Sequence, residues 1–193
     1  MNHTKMDLEE IESHTIGHYD NNAESFWLGT KHHDVSQNID AFLKALQTSK
    51  SLDILDFGCG PGRLTQALCS RFEQVDGVDI SPEMIKQARI KNTFGSKCHY
   101  FVVDNEKLDT IASNTYDVVF TYSVLQHIEP YYVEQYLKSF LRILKPGGVL
   151  LFQLHDSPYK PSEKWKIRLK SCLPRTGVNA IKRFKNRGKA IME

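Results

Sequence analysis

An apolar run that breaks into glycines at three alternate positions, 58, 60 and 62, constrains this chain more than any other feature; residues 55–65 read LDFGCGPGRLT. Each glycine gives up more chain entropy on folding than any other residue type. A tight turn between a strand and a helix asks for one of them. Three in five residues imply a backbone that turns with positive φ and that something approaches without meeting a Cβ. The apolar LDILDF precedes the glycines and the helix-compatible RLTQALCSRF follows them. The stretch therefore sits where the first strand of an α/β sheet passes to its helix, the usual place for a ligand in a doubly wound fold.

The rest of the chain has the same alternation. QVDGVDI, CHYFVVD, YDVVFTYS and VLLFQLH read as strands, and SPEMIKQARIKN reads as a helix with Ser81 as N-cap and Pro82 at its first position. Pro130 opens another helix, in which Val133, Leu137, Phe140, Leu141 and Leu144 form an apolar stripe that KPGG ends. Before the first strand, residues 7–30 read as one or two short helices and 34–46 as a further one. Nearly continuous apolar strands between amphipathic helices predict a Rossmann-like, doubly wound and mostly parallel sheet covered on both faces. We divide the chain into a helical cap (1–49), a core (50–156) and a basic tail (157–193).

The ligand can be narrowed from the loop itself. A dinucleotide fingerprint is G-x-G-x-x-G and a phosphate loop is G-x-x-x-x-G-K-[ST], and neither spacing is present. Asp56, two residues before the first glycine, would repel a pyrophosphate at short range and would suit an ammonium group. A nucleoside carrying an amino-acid chain fits better than a dinucleotide.

With these residues in place, LDFGCGPGRLT resembles the first motif of the class I S-adenosylmethionine-dependent methyltransferases. The resemblance continues in order through VDGVDISPEMI, FVVDNEKL, YDVVFTYSVLQHI and LRILKPGGVLLF, covering about residues 50–155. It implies that Asp56, Gly58, Cys59, Gly60 and Gly62 carry the amino-acid end of S-adenosylmethionine. Asp79 would hold the ribose hydroxyls, two acceptor oxygens matching two vicinal donors, with Ile80 and Met84 beside it. Asp104 and Asn105 would meet the adenine, and Thr121 and Tyr122 would border the sulfonium. HYDNNAESFWLGTKHHDVSQN is similar to the capping segment of small bacterial members. Tyr19 would then reach the methionine end, and Phe26, Trp27, Thr30 and His33 would line the cap; read as aromatic residues alone, Phe26 and Trp27 are expected instead to pack the helices on the sheet.

The chemistry implied is in-line methyl transfer to a small-molecule acceptor. His127 is placed to act as the general base where one is needed, Gln126 to orient the acceptor, and His155 is a second candidate base. No N-P-P-[YF] tetrapeptide follows the fourth strand, which argues against methylation of amino groups on nucleic-acid bases or glutamine. Arg63 is read as pairing with Asp56 or lying on the surface. No metal-ligand spacing is visible, His32 and His33 included.

The tail departs from the pattern. Residues 1–156 hold 14 basic and 21 acidic side chains, and 157–193 hold 11 basic and 2 acidic. No strand-turn-strand pattern is legible in the tail, only two short basic helices near 162–171 and 178–186. The last antiparallel strand pair usual in this class is thus not found, which implies either truncation or a sheet of five strands. An exposed sheet edge would invite a homodimer. The basic tail leaves open a nucleic acid, an anionic membrane or a protein acceptor, and missing strands leave open a non-catalytic cofactor-binding subunit. Without a signal-peptide core or a CxxC pair, the four cysteines (59, 69, 98 and 172) are expected as reduced thiols in a cytoplasmic protein.

Overall fold

The computed structural model describes residues 5–32, 34–35, 39, 43, 46, 51–153 and 180–184. Six strands form one sheet in the order β3-β2-β1-β4-β5-β6, with every pairing parallel. They are β1 (Ile54–Phe57), β2 (Val75–Asp79), β3 (Cys98–Val102), β4 (Tyr116–Thr121), β5 (Leu144–Gln153) and β6 (Ala180–Phe184). The helices are α1 (Lys5–Thr30), α2 (Arg63–Cys69), α3 (Pro82–Ile90) and α4 (Pro130–Ile143). Strand order reverses between β1 and β4, so the switch point, where a doubly wound sheet has its ligand crevice, lies beyond their carboxyl ends between the glycine loop and the loop after Thr121.

The period-two alternation of the strands sorts the core into two layers. Leu55, Phe57, Val78, Val119, Leu150 and Phe152 face α4, where Val133, Leu137, Phe140 and Ile143 are buried. Ile54, Val75, Val118, Phe120 and Leu151 face the opposite layer, where Leu68 of α2 and Ile85 and Ala88 of α3 close the sheet. Burying a side chain of this size contributes about 1.5–3 kcal/mol. Of the helix expected over 34–46, Ile39, Leu43 and Leu46 are described, are helical and join the second layer.

Four expectations are corrected here. The one or two short helices expected over 7–30 are a single helix of 26 residues. KPGG does not separate α4 from the next strand. β5 begins immediately after Ile143, and the register slips between Tyr116↔Leu144 and Val118↔Val149, so KPGG is a bulge inside β5. Gly148 is required there because a Cβ would lie 2.9 Å from the Lys145 carbonyl oxygen.

The third correction concerns the tail. The expected helix near 178–186 is instead β6, pairing in parallel with β5 from Val149↔Ala180 to Gln153↔Phe184. An open strand edge presents a row of unpaired N–H and C=O groups, and that demand outweighs the local helical pattern. The β5 edge on which the homodimer expectation turned is therefore filled, and among the described residues the sheet has six strands rather than five. The expected helix near 162–171, His155 and Cys172 lie outside the described residues. Finally, Cys69 at the end of α2 and Cys98 at the start of β3, expected as separate thiols, are paired as a disulfide with Cα atoms 6.5 Å apart. The two segments converge there because α2 and β3 both pack on β2.

Gly77 in the middle of β2 is a packing requirement that the sequence pattern hides. A Cβ there would lie 2.8 Å from Tyr100 Cδ1 and 3.1 Å from Cys59 Sγ. The Tyr100 ring is buried and cannot swing aside. Gly77→Ala is expected to destabilise by about 2–3 kcal/mol through overpacking, read as a fall in melting temperature of roughly 4–12 °C. An unchanged melting temperature would show that the Tyr100 contact is soft.

Candidate cofactor and methyl-transfer site

The site begins with the backbone of the glycine loop. The N–H groups of Gly58 and Cys59 both donate to the Val78 carbonyl, at 2.8 and 3.0 Å, so the loop is anchored across β1 and β2 before any side chain acts. Gly60 has φ +52 and Gly62 has φ +82, the left-handed region that favours glycine. At Gly62 the space of a Cβ is already taken by the Tyr100 hydroxyl, 2.6 Å away, which makes it a structural glycine. At Gly60 the nearest atom to such a Cβ is Phe26 Cε1 at 3.9 Å, an ordinary contact, so the glycine there answers to its φ rather than to crowding. A Cβ on Gly58 would collide with Val124 of the loop after β4.

Asp79, the last residue of β2, ties two loops together. Its Oδ2 accepts the Gly60 N–H at 2.8 Å and its Oδ1 accepts the Ser81 N–H at 3.0 Å. Each oxygen keeps lone-pair capacity toward the crevice. Burial pushes this carboxyl up, against the pull of those backbone donors, and nearby Asp20 adds to the rise. Ser81 caps α3 as expected, accepting the Met84 N–H at 3.1 Å. Asp20 of α1 reinforces that cap, accepting from the Ser81 hydroxyl and, at 3.3 Å, from the Glu83 N–H.

Helix α1 lies over this edge. Tyr19 is half-buried, and its phenol is pushed up by burial and by the charge of nearby Asp79. Phe26 is 45% exposed over Gly60, a correction to the expectation that it packs helix on sheet. Trp27 is half-buried, with Lys91 Nζ 5.6 Å from its ring centroid. His33 lies outside the described residues.

Asp56 lies beneath the loop rather than on its rim. It is 2% exposed, and the Thr65 hydroxyl donates to its Oδ2 at 2.6 Å. Burial is the larger influence and pushes its carboxyl up to about 7. Arg63 neither pairs with Asp56 nor lies free on the surface; it is half-buried, and its Nη1 donates to the Thr30 carbonyl of α1 at 3.2 Å. Cys59 and Met84 are buried behind the loop, and Ile80 is half-buried. Asp104 is exposed beyond β3, with the Asn105 amide donating to it at 2.9 Å.

Across the crevice, Thr121 ends β4 fully buried, and its hydroxyl is the buried side-chain polar atom without a hydrogen-bond partner among the described residues. Such an orphan is uncommon and asks for a ligand or an ordered water. Tyr122 is half-buried and stacks on Phe120. Ser123 follows with φ +60, a strained conformation for serine. The Gln126 amide nitrogen lies 3.1 Å from Ser123 Oγ and 3.1 Å from His127 Nε2. With the Gln126 amide nitrogen as donor, the acceptor in that contact is His127 Nε2. His127 is exposed, and the lone pair a general base needs is engaged by Gln126.

The structure thus gathers Tyr19, Gly60 and Asp79 around one end of the crevice and sets Thr121, Tyr122 and His127 on its β4 side. Sequence reading missed Asp20, Thr65, Tyr100 and Val124. Thr65 stands within the quoted motif, nine residues from Asp56, close enough to be inferred as its partner. Asp20 and Tyr100 act through contacts 61 and 38 residues away, and no local pattern signals those. The residues present fit a nucleoside with an amino-acid chain: uncrowded backbone at Gly60, a carboxylate with spare acceptor capacity at Asp79, and the Thr121 hydroxyl without a partner among the described residues.

Residues 54–148 match the family described as a methyltransferase domain. The chain is 32% identical over 132 residues to phosphoethanolamine N-methyltransferase of Triticum aestivum, covering 67% of this chain and 26% of that protein. It is 32% identical over 112 residues to trans-aconitate 2-methyltransferase of an Enterobacter species, covering 57% of this chain and 42% of that protein. The chain therefore spans less than half the length of these relatives. An S-adenosylmethionine-dependent methyltransferase from Mesorhizobium loti superposes with a TM-score of 0.50 at 25% identity, over 58% of this chain and 51% of that one. Strand order and glycine loop agree with these matches, which identify residues 54–148 as a methyltransferase domain of the class I S-adenosylmethionine-dependent type.

Proposed function

We propose that this protein transfers the methyl group of S-adenosylmethionine to a small-molecule acceptor. The observation that carries the reading is Asp79, held at the end of β2 by the Gly60 and Ser81 N–H groups with acceptor capacity left over the crevice. Among the relatives, phosphoethanolamine and trans-aconitate are small polar acceptors by those proteins' names, which supports the small-molecule reading.

Bound there, S-adenosylmethionine supplies a methyl group already activated on a cationic sulfur. The protein's own residues position. Asp79 accepts from the ribose hydroxyls, and Tyr19 covers that end from α1. The side-chain-free backbone at Gly60, with Phe26 above it, is where the amino-acid chain would rest. Thr121 offers its unpaired hydroxyl at the β4 side, and Asp104 with Asn105 flanks the base. Orientation of this kind can supply roughly 7–11 kcal/mol of the barrier. Where the acceptor must lose a proton, His127 is the side chain on the β4 loop suited to take it, once Gln126 releases Nε2.

Calorimetry tests the cofactor: the chain is expected to bind S-adenosylhomocysteine and not NAD. Transfer of labelled methyl to phosphoethanolamine, trans-aconitate and a catechol panel then tests turnover. Binding without transfer to any small molecule or extract fraction would overturn the enzyme reading in favour of a cofactor-binding subunit.

A further inference from the structure

Arg63 stands beside the glycine loop as a cation for which no anion is found among the described residues. Among the described residues no carboxylate lies within ion-pair distance of its guanidinium. The acids at the same edge are engaged elsewhere: Asp56 by Thr65, Asp79 by the Gly60 and Ser81 N–H groups, and Asp20 by Ser81 and Glu83. A guanidinium has five N–H donors, and among the described residues one of them is used, from Nη1 to the Thr30 carbonyl. The group is half-buried, and burial works against its charge, with Tyr122 acting in its favour. A charge kept partly out of water without a partner is unfavourable unless something supplies one.

Its position says where that partner comes from. Arg63 directly follows Gly62 at the start of α2, so the glycine loop brings it to the crevice. Tyr122, which acts on its charge, stands just past the end of β4 on the other side of the switch point. We infer that Arg63 receives the anionic oxygen group of a bound ligand, a carboxylate or phosphate lying between the glycine loop and Tyr122. The inference rests on the proposed function, which puts ligands in that crevice. Two sources share the chemistry: the amino-acid carboxylate of the cofactor and an acidic group on the methyl acceptor. A planar fork that matches two oxygens suits either one better than an ammonium would.

The experiment compares wild type with Arg63→Met and Arg63→Lys, each shown by melting temperature to be folded. Binding is measured for S-adenosylhomocysteine, for 5′-methylthioadenosine, which lacks the amino-acid chain, and for trans-aconitate and phosphoethanolamine with S-adenosylhomocysteine present. If the cofactor is the source, Arg63→Met weakens S-adenosylhomocysteine about tenfold or more, leaves methylthioadenosine within threefold, and Arg63→Lys recovers part of the loss. If the acceptor is the source, the cofactor constants stay level and binding of an anionic probe is lost. Equal binding of every probe by wild type and Arg63→Met overturns the inference. So does an equal loss of methylthioadenosine, which marks a purely structural role. Wild type that binds an anionic probe through Arg63 but no S-adenosylhomocysteine overturns the proposed function alone. Wild type that binds nothing overturns both.

Discussion

Asp79→Ala is expected to weaken S-adenosylhomocysteine binding between about tenfold and a hundredfold and to lower the melting temperature as well. Two separate losses produce this. Hydrogen bonds to a charged acceptor contribute about 1.5–3 kcal/mol, and the ribose would lose its only carboxylate at the end of β2. The Gly60 and Ser81 N–H groups would also lose the oxygens they donate to, at 2.8 and 3.0 Å. A buried donor left unpaired costs about 1–3 kcal/mol. Asp79→Asn separates the effects, because its single amide oxygen can serve one of the two backbone donors and leaves nothing charged for the sugar. Calorimetry and thermal melting on the same preparations read both quantities. A fall in melting temperature with an unchanged dissociation constant would reduce Asp79 to a loop tie and remove the ribose assignment.

The second large effect is a dependence of stability on pH that Asp56 introduces. Unfolded, its carboxyl releases a proton near about 3.9; folded, burial holds that proton until about 7. Between those values the folded state binds the extra proton. The stabilisation from Asp56 is therefore complete below about pH 4 and is lost as pH rises through 7, levelling off above. From pH 5 to pH 8 the loss amounts to about 3 kcal/mol relative to a neutral side chain. Wild type should thus lose roughly 6–12 °C more of melting temperature over that interval than Asp56→Asn, whose amide can still accept from Thr65. Parallel pH profiles for the two proteins would falsify the assignment of a protonated Asp56. The consequence for function is direct. A ligand bearing an ammonium group is favoured by the ionised carboxylate, so its binding near neutral pH should release protons, a quantity calorimetry reads from buffers of different ionisation enthalpy.

Much of the site was legible because its chemistry is local. The glycines at 58, 60 and 62, the carboxylate ending β2 and the Ser81–Pro82 helix start each follow from spacing within a dozen residues, and each stands where the pattern put it. The misreadings share a different cause. Residues 180–184 carry a helical pattern yet lie along β5, because the demand of an open edge comes from a strand some thirty residues away. Arg63 turns to Thr30 instead of Asp56, because α1 folds over the loop and offers a carbonyl that no sequence neighbour reveals.

From the sequence by itself came the element types of the core, the layered α/β class and the glycine turn after β1, since these depend on the two- and 3.6-residue periods of apolar side chains and on backbone that only glycine adopts. Only the tertiary structure decided which charges find partners. It buried Asp56 against Thr65, set Asp20 on the α3 cap, filled the space at Gly62 and Gly77 with Tyr100, turned Arg63 to the Thr30 carbonyl, and left the Thr121 hydroxyl without a partner among the described residues. Hydrogen bonds and ion pairs act over a few ångströms in space, whatever their separation along the chain, and no spacing rule contains that distance.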